Sequence, residues 1–248
     1  CIPSVGDVIF AGAETGGLIV MDRANPGSME RWIGGPGLSG NNVTGLAWTG
    51  RFLWVATLDN GLTRVDDPTS RTPNFRQYLD NLGSRRVTGV TGRFGGGSEL
   101  VYYAMQGAGV GKIENGIAGL VYGADQDGLL SNDVNDLQLL GDELFAATDL
   151  GVSRLNGSLF VDANDGLTNP WVYDLALDAG GNLVAGGKGG VFRWDAQAEA
   201  WTSLGGIGSW VVGLAAQEDG TLWALGLDSS QDGVLARAEE GSWVSVAV

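Results

Sequence analysis

One pattern governs what this chain can fold into. An alanine closing an apolar run returns six times, at Ala11, Ala56, Ala104, Ala147, Ala185 and Ala224, at intervals of 45, 48, 43, 38 and 39 residues. After each alanine comes a short polar or glycine-rich turn, then a glycine with an aliphatic partner: Gly17-Leu18, Gly61-Leu62, Gly109-Val110, Gly151-Val152, Gly190-Val191 and Gly233-Val234. An acidic or amide residue closes each segment at Asp22, Asp66, Glu114, Asn156, Asp195 and Glu239, and an aromatic follows at Trp32, Tyr78, Tyr122, Phe160, Trp201 and Trp243. A valine then opens the next unit, at Val43, Val87, Val134, Val172 and Val211. A unit this short cannot bury its own apolar face, so it must pack against its neighbours in the series.

Each unit reads as four short strands. In the second copy these are VTGLAW, RFLWVAT, GLTRVD and FRQYL, separated by turn residues. β-Branched and aromatic residues bounded by Gly, Asp and Asn are what strands and tight turns need. The 43 glycines show no collagen period, so they are assigned to turns. No apolar spacing of helical type runs long enough for a substantial helix. Four strands in about 43 residues match a propeller blade. The expectation is an all-β β-propeller of six four-stranded blades, near residues 1–40, 41–84, 85–131, 132–169, 170–208 and 209–248, as one domain. A seventh blade is expected only if residues precede Cys1.

The turn GLLSNDVNDL followed by LFAATDLGVSRLN resembles the two-component-regulator propeller repeat, as do GLSGNNVTGLAWTGRFLWVATLDNGLTRVD and GLTNPWVYDLALDAGGNLVAGGKGGVFRWD. The third copy departs from it at Met105 and Gln106, and the sixth in its longer DSSQDG loop. The resemblance implies a propeller that serves as an extracytoplasmic sensor or interaction module. It does not extend to signalling, since no kinase or DNA-binding region is recognisable in this sequence.

Charge and composition narrow the function classes. A net charge of −15 repels phosphate backbones and anionic lipid, so no nucleic-acid partner is expected. The chain has no histidine, the commonest general base and metal ligand, and a single cysteine, Cys1. No catalytic residue, metal or cofactor is assigned. In a propeller, the turns before the innermost strands and those after the alanines share one face. That face would present Asn42, Asp59, Asn60, Arg85, Arg86, Asp133, Asp149, Trp171, Lys188 and Trp210, together with Glu14, Gln106 and Asp228. Trp171 and Trp210 are the most suggestive, because large aromatics in polar loops are typical binding anchors; the plainer reading is that each indole caps a blade. The loops 124–128, 162–166 and 228–233 lack the ligand spacing of a calcium loop and read as turns. Arg64, Lys112, Arg154, Arg193 and Arg237 stand two residues before the closing acid or amide and read as solvated pairs.

Cys1 is where a processed lipoprotein would carry its lipid, which would be the chain's one attachment to a membrane. The functional expectation is a non-catalytic scaffolding propeller, periplasmic or at the cell surface, docked on protein partners in a membrane-associated assembly. Two alternatives stand beside it. One is a propeller sensing a glycan or small molecule. The other is a metal-dependent, lactonase-like hydrolase, for which Glu14, Asp59 and Asp149 are the available carboxylates. A lyase of the virginiamycin type is excluded by its need for histidine.

Overall fold

Short strands joined by tight turns pair with their immediate neighbours in sequence, because longer-range pairing would need longer connections. The computed structural model describes residues 4–208, 210–217, 219–239 and 242–246, and it consists of such meanders. Cys1 lies outside the described residues. Among the described residues there are six sheets, each of four antiparallel strands in chain order. Blade 2 is representative, with strands Val43–Trp48, Phe52–Thr57, Gly61–Asp66 and Asn74–Tyr78, within a residue or two of the boundaries read from sequence. Among the described residues the one α-helical segment is the single turn Ala124–Asp127. The fold is the expected all-β six-bladed propeller. The chain divides into two compact units, Cys1–Tyr122 and Gly123–Val248, and each carries three blades.

The repeated residues have identifiable physical tasks. Gly17, Gly61, Gly109, Gly151 and Gly190 all adopt positive φ, between 77° and 124°, which a side chain would disfavour. At Gly61 a methyl group would also stand 2.5 Å from the carbonyl oxygen of Tyr78, so the third strand can start only on glycine. In blade 6, where the DSSQDG loop intervenes, Gly233 has open space around it. Ala56, Ala104, Ala147, Ala185 and Ala224 are buried, as are all five opening valines. After Val43, Val134, Val172 and Val211 the register of the first strand slips by one residue. Such a bulge re-aims the extra side chain. In blade 2 that side chain is Thr44, whose hydroxyl donates to Val87 O of blade 3 (2.7 Å). In blade 4 it is Asn135, whose amide donates to Val172 O of blade 5 (2.7 Å). The bulge thereby stitches one blade to the next.

The core consists of seams between consecutive blades. In the first unit, Trp54, Tyr78, Val87, Tyr103 and Ile113 form one seam of blades 2 and 3. Its one buried carboxylate, Glu99, accepts a hydrogen bond from Trp54 Nε1 (2.8 Å) and lies 3.6 Å from Arg64 Nη1. Burial pushes the Arg64 guanidinium down, but its hydrogen bond to Asp66 and the surrounding negative groups outweigh that and raise it. The third-strand bases divide into two groups. Arg64, Lys112 and Arg237 pair with the acid two residues on, at Asp66, Glu114 and Glu239. Arg154 instead reaches Glu143 and Glu199, and Arg193 reaches Asp178, because Asn156 offers no charge and Asp195 bonds to its own turn.

Candidate functional site

Trp171 and Trp210 each stand one residue before the valine that opens an innermost strand, in blades 5 and 6. Those two strands, Val172–Leu177 and Trp210–Ala216, pack against each other, so equal register brings the two indoles together. Their rings lie 5.6 Å apart at an interplanar angle of 60°. Tyr173, the bulge residue of blade 5, adds a third ring 5.6 Å from Trp210. Lys188 sits in the turn after Ala185, bridges to Trp210 through the backbone, and donates its N–H to Trp171 O (2.8 Å). Its ammonium lies 5.1 Å from the Trp210 ring and 5.7 Å from the Trp171 ring. Such contacts contribute about 0.5–1 kcal/mol at exposed sites, enough to orient the lysine. Burial pushes the Tyr173 phenol up, so it stays a neutral donor. Trp171 is nonetheless 43% exposed. The result is an open aromatic surface with one fixed positive charge.

The other residues expected on this face have different fates. Asp59 accepts N–H bonds from Asn41 (3.0 Å) and Asn42 (3.2 Å), and the Asn60 amide donates to Ser39 O (2.8 Å), so these residues tie the turn after Ala56 to the segment that precedes Val43. Arg85 is bound to Leu79 O and to Asp80, and both Arg86 Nε and Nη2 donate to Gln106 Oε1. Asp133 is exposed, with its N–H donated to Ser131 Oγ. Asp149 is half-buried, and its Oδ1 has no hydrogen-bond partner. Glu14 is exposed, and Asp228 accepts the N–H groups of Ser230 and Asp232 in its own loop. The acidic loops behave as turns: Asp162 accepts Asn164 N–H (2.8 Å), and Asp127 accepts Gly123 N–H (2.8 Å). Among the described residues no three potential acidic or thiol ligands converge for a metal. Of the ten residues singled out, Trp171, Lys188 and Trp210 form the cluster with features of a binding surface.

A carboxyl pair in the second unit escaped the sequence reading. Two residues after the opening valine, blades 2, 3 and 6 carry Gly45, Gly89 and Gly213, whereas blades 4 and 5 carry Asp136 and Asp174. Asp136 Oδ2 accepts Leu175 N–H (3.0 Å) from blade 5, and Asp174 Oδ2 accepts Leu214 N–H (2.5 Å) from blade 6. The two carboxyls also bond to each other. Burial, and then the charge of Asp174, push Asp136 well above the usual carboxylate range, and burial raises Asp174 as well. The pair links three first strands through side chains. Where glycine stands instead, as at Gly45, a Cβ would come within 3.1 Å of the neighbouring strand at Gly89 and Val90. The signal was present in the repeat as glycine replaced by aspartate in two copies, but it needed the register to acquire meaning.

No protein-family model and no curated protein sequence matches the chain. Solved structures do. The extracellular domain of a putative hybrid two-component system from B. thetaiotaomicron matches with a TM-score of 0.76 and 17% identity, over 100% of this chain and 34% of the other. The extracellular domain of a putative one-component system from the same organism matches at 0.73 and 16% identity, over 99% of this chain and 32% of the other. The β-propeller domain of Cps50 (Swd1) from Myceliophteria thermophila matches at 0.68 and 14% identity, over 100% of this chain and 85% of the other. The chain therefore spans about a third of the length of the two bacterial extracellular domains. At these identities the likeness establishes the propeller fold.

Proposed function

We propose that this protein is a non-catalytic, extracytoplasmic binding module that docks a protein partner through Trp171, Tyr173, Lys188 and Trp210. The observation that carries the reading is the exposed indole of Trp171, held by ring contacts and by Lys188 in a surface cluster. Rigid aromatic anchors beside a positive group are the usual composition of interface hot spots, where a few side chains supply most of the binding free energy. The extracytoplasmic setting is supported by the bacterial structural neighbours, which are extracellular domains of putative signalling systems. Within the same reading, Cys1 is the residue through which a lipid would hold the module at a membrane. Intact mass measurement on the native protein tests that part, and a free thiol at Cys1 would contradict it.

The docking part is tested by capture from a native envelope extract with the full chain and with Trp171→Ala/Trp210→Ala. The expected outcome is a defined partner retained by the unmodified chain and reduced at least tenfold by the double variant, with circular dichroism unchanged. Equal capture by both would overturn the assignment. A second reading, sensing of a small ligand or glycan at the same rings, is favoured by the signalling character of those neighbours. It predicts stabilisation by the ligand alone, lost in the same variant.

A further inference from the structure

The seams on the two sides of blade 5 are built on one plan and filled differently. Opposite Arg154 in blade 4 stands Phe145, and opposite Arg193 in blade 5 stands Val184, at the same register. Opposite the fourth-strand tryptophan, blade 5 places Trp194 against Trp201, and blade 6 places Ala238 against Trp243. The shared frame is intact in both seams. Trp201 Nε1 donates to Ala163 O (2.7 Å), and Trp243 Nε1 donates to Leu204 O (2.9 Å), in each case reaching the loop after the preceding blade. In the seam of blades 4 and 5, Phe145 and Trp194 pack edge to face, 5.5 Å apart, and the cleft that remains beside Arg154 and Glu199 is smaller, about 400 Å³, and lined mainly by polar residues. In the seam of blades 5 and 6 both positions are small. A cavity of about 740 Å³ opens there, with Leu204, Leu222, Ala238 and Trp243 as its apolar wall and Arg193 with Asp178 at its polar side.

That volume lies within the range of small-molecule sites, about 300–1,000 Å³. The polar side is also specific. Asp178 accepts bonds from Gly180 N–H, Asn182 N–H and the Asn182 amide as well as from Arg193 Nη2 (2.9 Å). These bonds, with the charge of Arg193, outweigh partial burial and hold the carboxylate below its usual range. Arg193 gives Asp178 one of its five donors and keeps nearly half its side chain exposed. A guanidinium in that state retains an edge for a second carboxylate.

We infer that the cavity between blades 5 and 6 binds a small, flat, apolar monocarboxylate, its ring system against Trp243, Leu204 and Leu222 and its carboxylate on Arg193. This site is separate from the Trp171 surface and does not depend on the role proposed for it. The test is calorimetric titration of the full chain with 1-naphthoate and with its neutral analogue 1-naphthalenemethanol. The inference expects one saturable site for 1-naphthoate. Ala238→Trp, which installs the residue of blade 5, abolishes binding, and Ala238→Leu, the size found in blade 4, weakens it at least tenfold should the larger ring disturb folding. Arg193→Gln weakens 1-naphthoate about tenfold and leaves the neutral analogue unchanged, since a charge-assisted bond is lost. Trp171→Ala/Trp210→Ala leaves both titrations unchanged. Absence of binding to the unmodified chain, or undiminished binding in a folded Ala238 variant, would overturn the inference and identify the space as a packing void.

Discussion

Blade 5 meets blade 4 across a seam closed by aromatic rings, with a polar cleft of about 400 Å³ beside Arg154 and Glu199, and blade 6 across an open one, whose cleft of about 740 Å³ has an apolar wall. Phe145 and Trp194 pack the first, with 0% and 6% of their surfaces exposed, whereas in the second Ala238 stands on the cleft wall where blade 5 has Trp194. The tryptophan hydrogen bond that positions the fourth strand is the same in both. Backbone plan and seam filling are thus separable in a repeat fold: the first comes from turns and strand length, the second from individual residues. A blade can keep its frame while its flank is freed for another use.

The largest effect that would break this comparison is emptying the closed seam. Trp194→Ala removes a buried ring in contact with Phe145 and Trp201 and is expected to cost about 3–5 kcal/mol, read as a shift in the urea midpoint. A loss below about 1 kcal/mol would mean that the seam collapses without hindrance.

At their inner ends both seams meet the Asp136–Asp174 pair, which gives the second unit a pH dependence of defined sign. A free aspartate titrates near about 3.9, and both carboxyls are raised in the fold, so the folded state binds the proton more tightly. Their stabilising contribution is fully present below the unfolded value and is lost as pH rises through the folded values. Asp136→Asn keeps a donor toward Asp174 and removes one titrating group. Relative to the variant, the unmodified chain is expected to lose stability as pH rises above the ordinary aspartate value. Parallel midpoint curves for the two proteins would contradict the upward shift of the two carboxyls.

Filling the open seam is the converse and smaller test. Ala238→Leu without ligand is expected to raise stability by about 0.5–2 kcal/mol, the usual gain from filling a cavity. A loss would show that the space is shaped against such a side chain. Smaller still is the tie across the closed seam, where Arg154 bonds to Glu199 at 2.7 Å. Glu199 is largely exposed, so Arg154→Gln should cost at most about 1 kcal/mol and less at high salt, measured by the same unfolding midpoints.

Much of the fold was legible because it rests on local rules. Gly61 must accept positive φ, Ala56 must be small, and Val43 must open a strand, and each requirement recurs in at least five of the six blades. The candidate site was legible in part. Trp171, Lys188 and Trp210 could be placed on one face from their turns, and equal register then explains their contact. Asp59 and Asn60 looked equally eligible, yet their side chains are spent on backbone groups of the segment before Val43, which composition does not reveal. The Asp136–Asp174 pair and the hollow beside Ala238 depend on cross-blade register. They emerge only when a residue is compared with its counterpart in the next blade rather than with its neighbours in sequence.

The central claim is that this scaffold binds through the rings of blades 5 and 6. Hydrogen-exchange mass spectrometry of the full chain, alone and with the partner captured from the envelope extract, tests it most directly. Protection confined to peptides containing Trp171, Lys188 and Trp210 is the predicted result, and protection elsewhere with those peptides unchanged would contradict it.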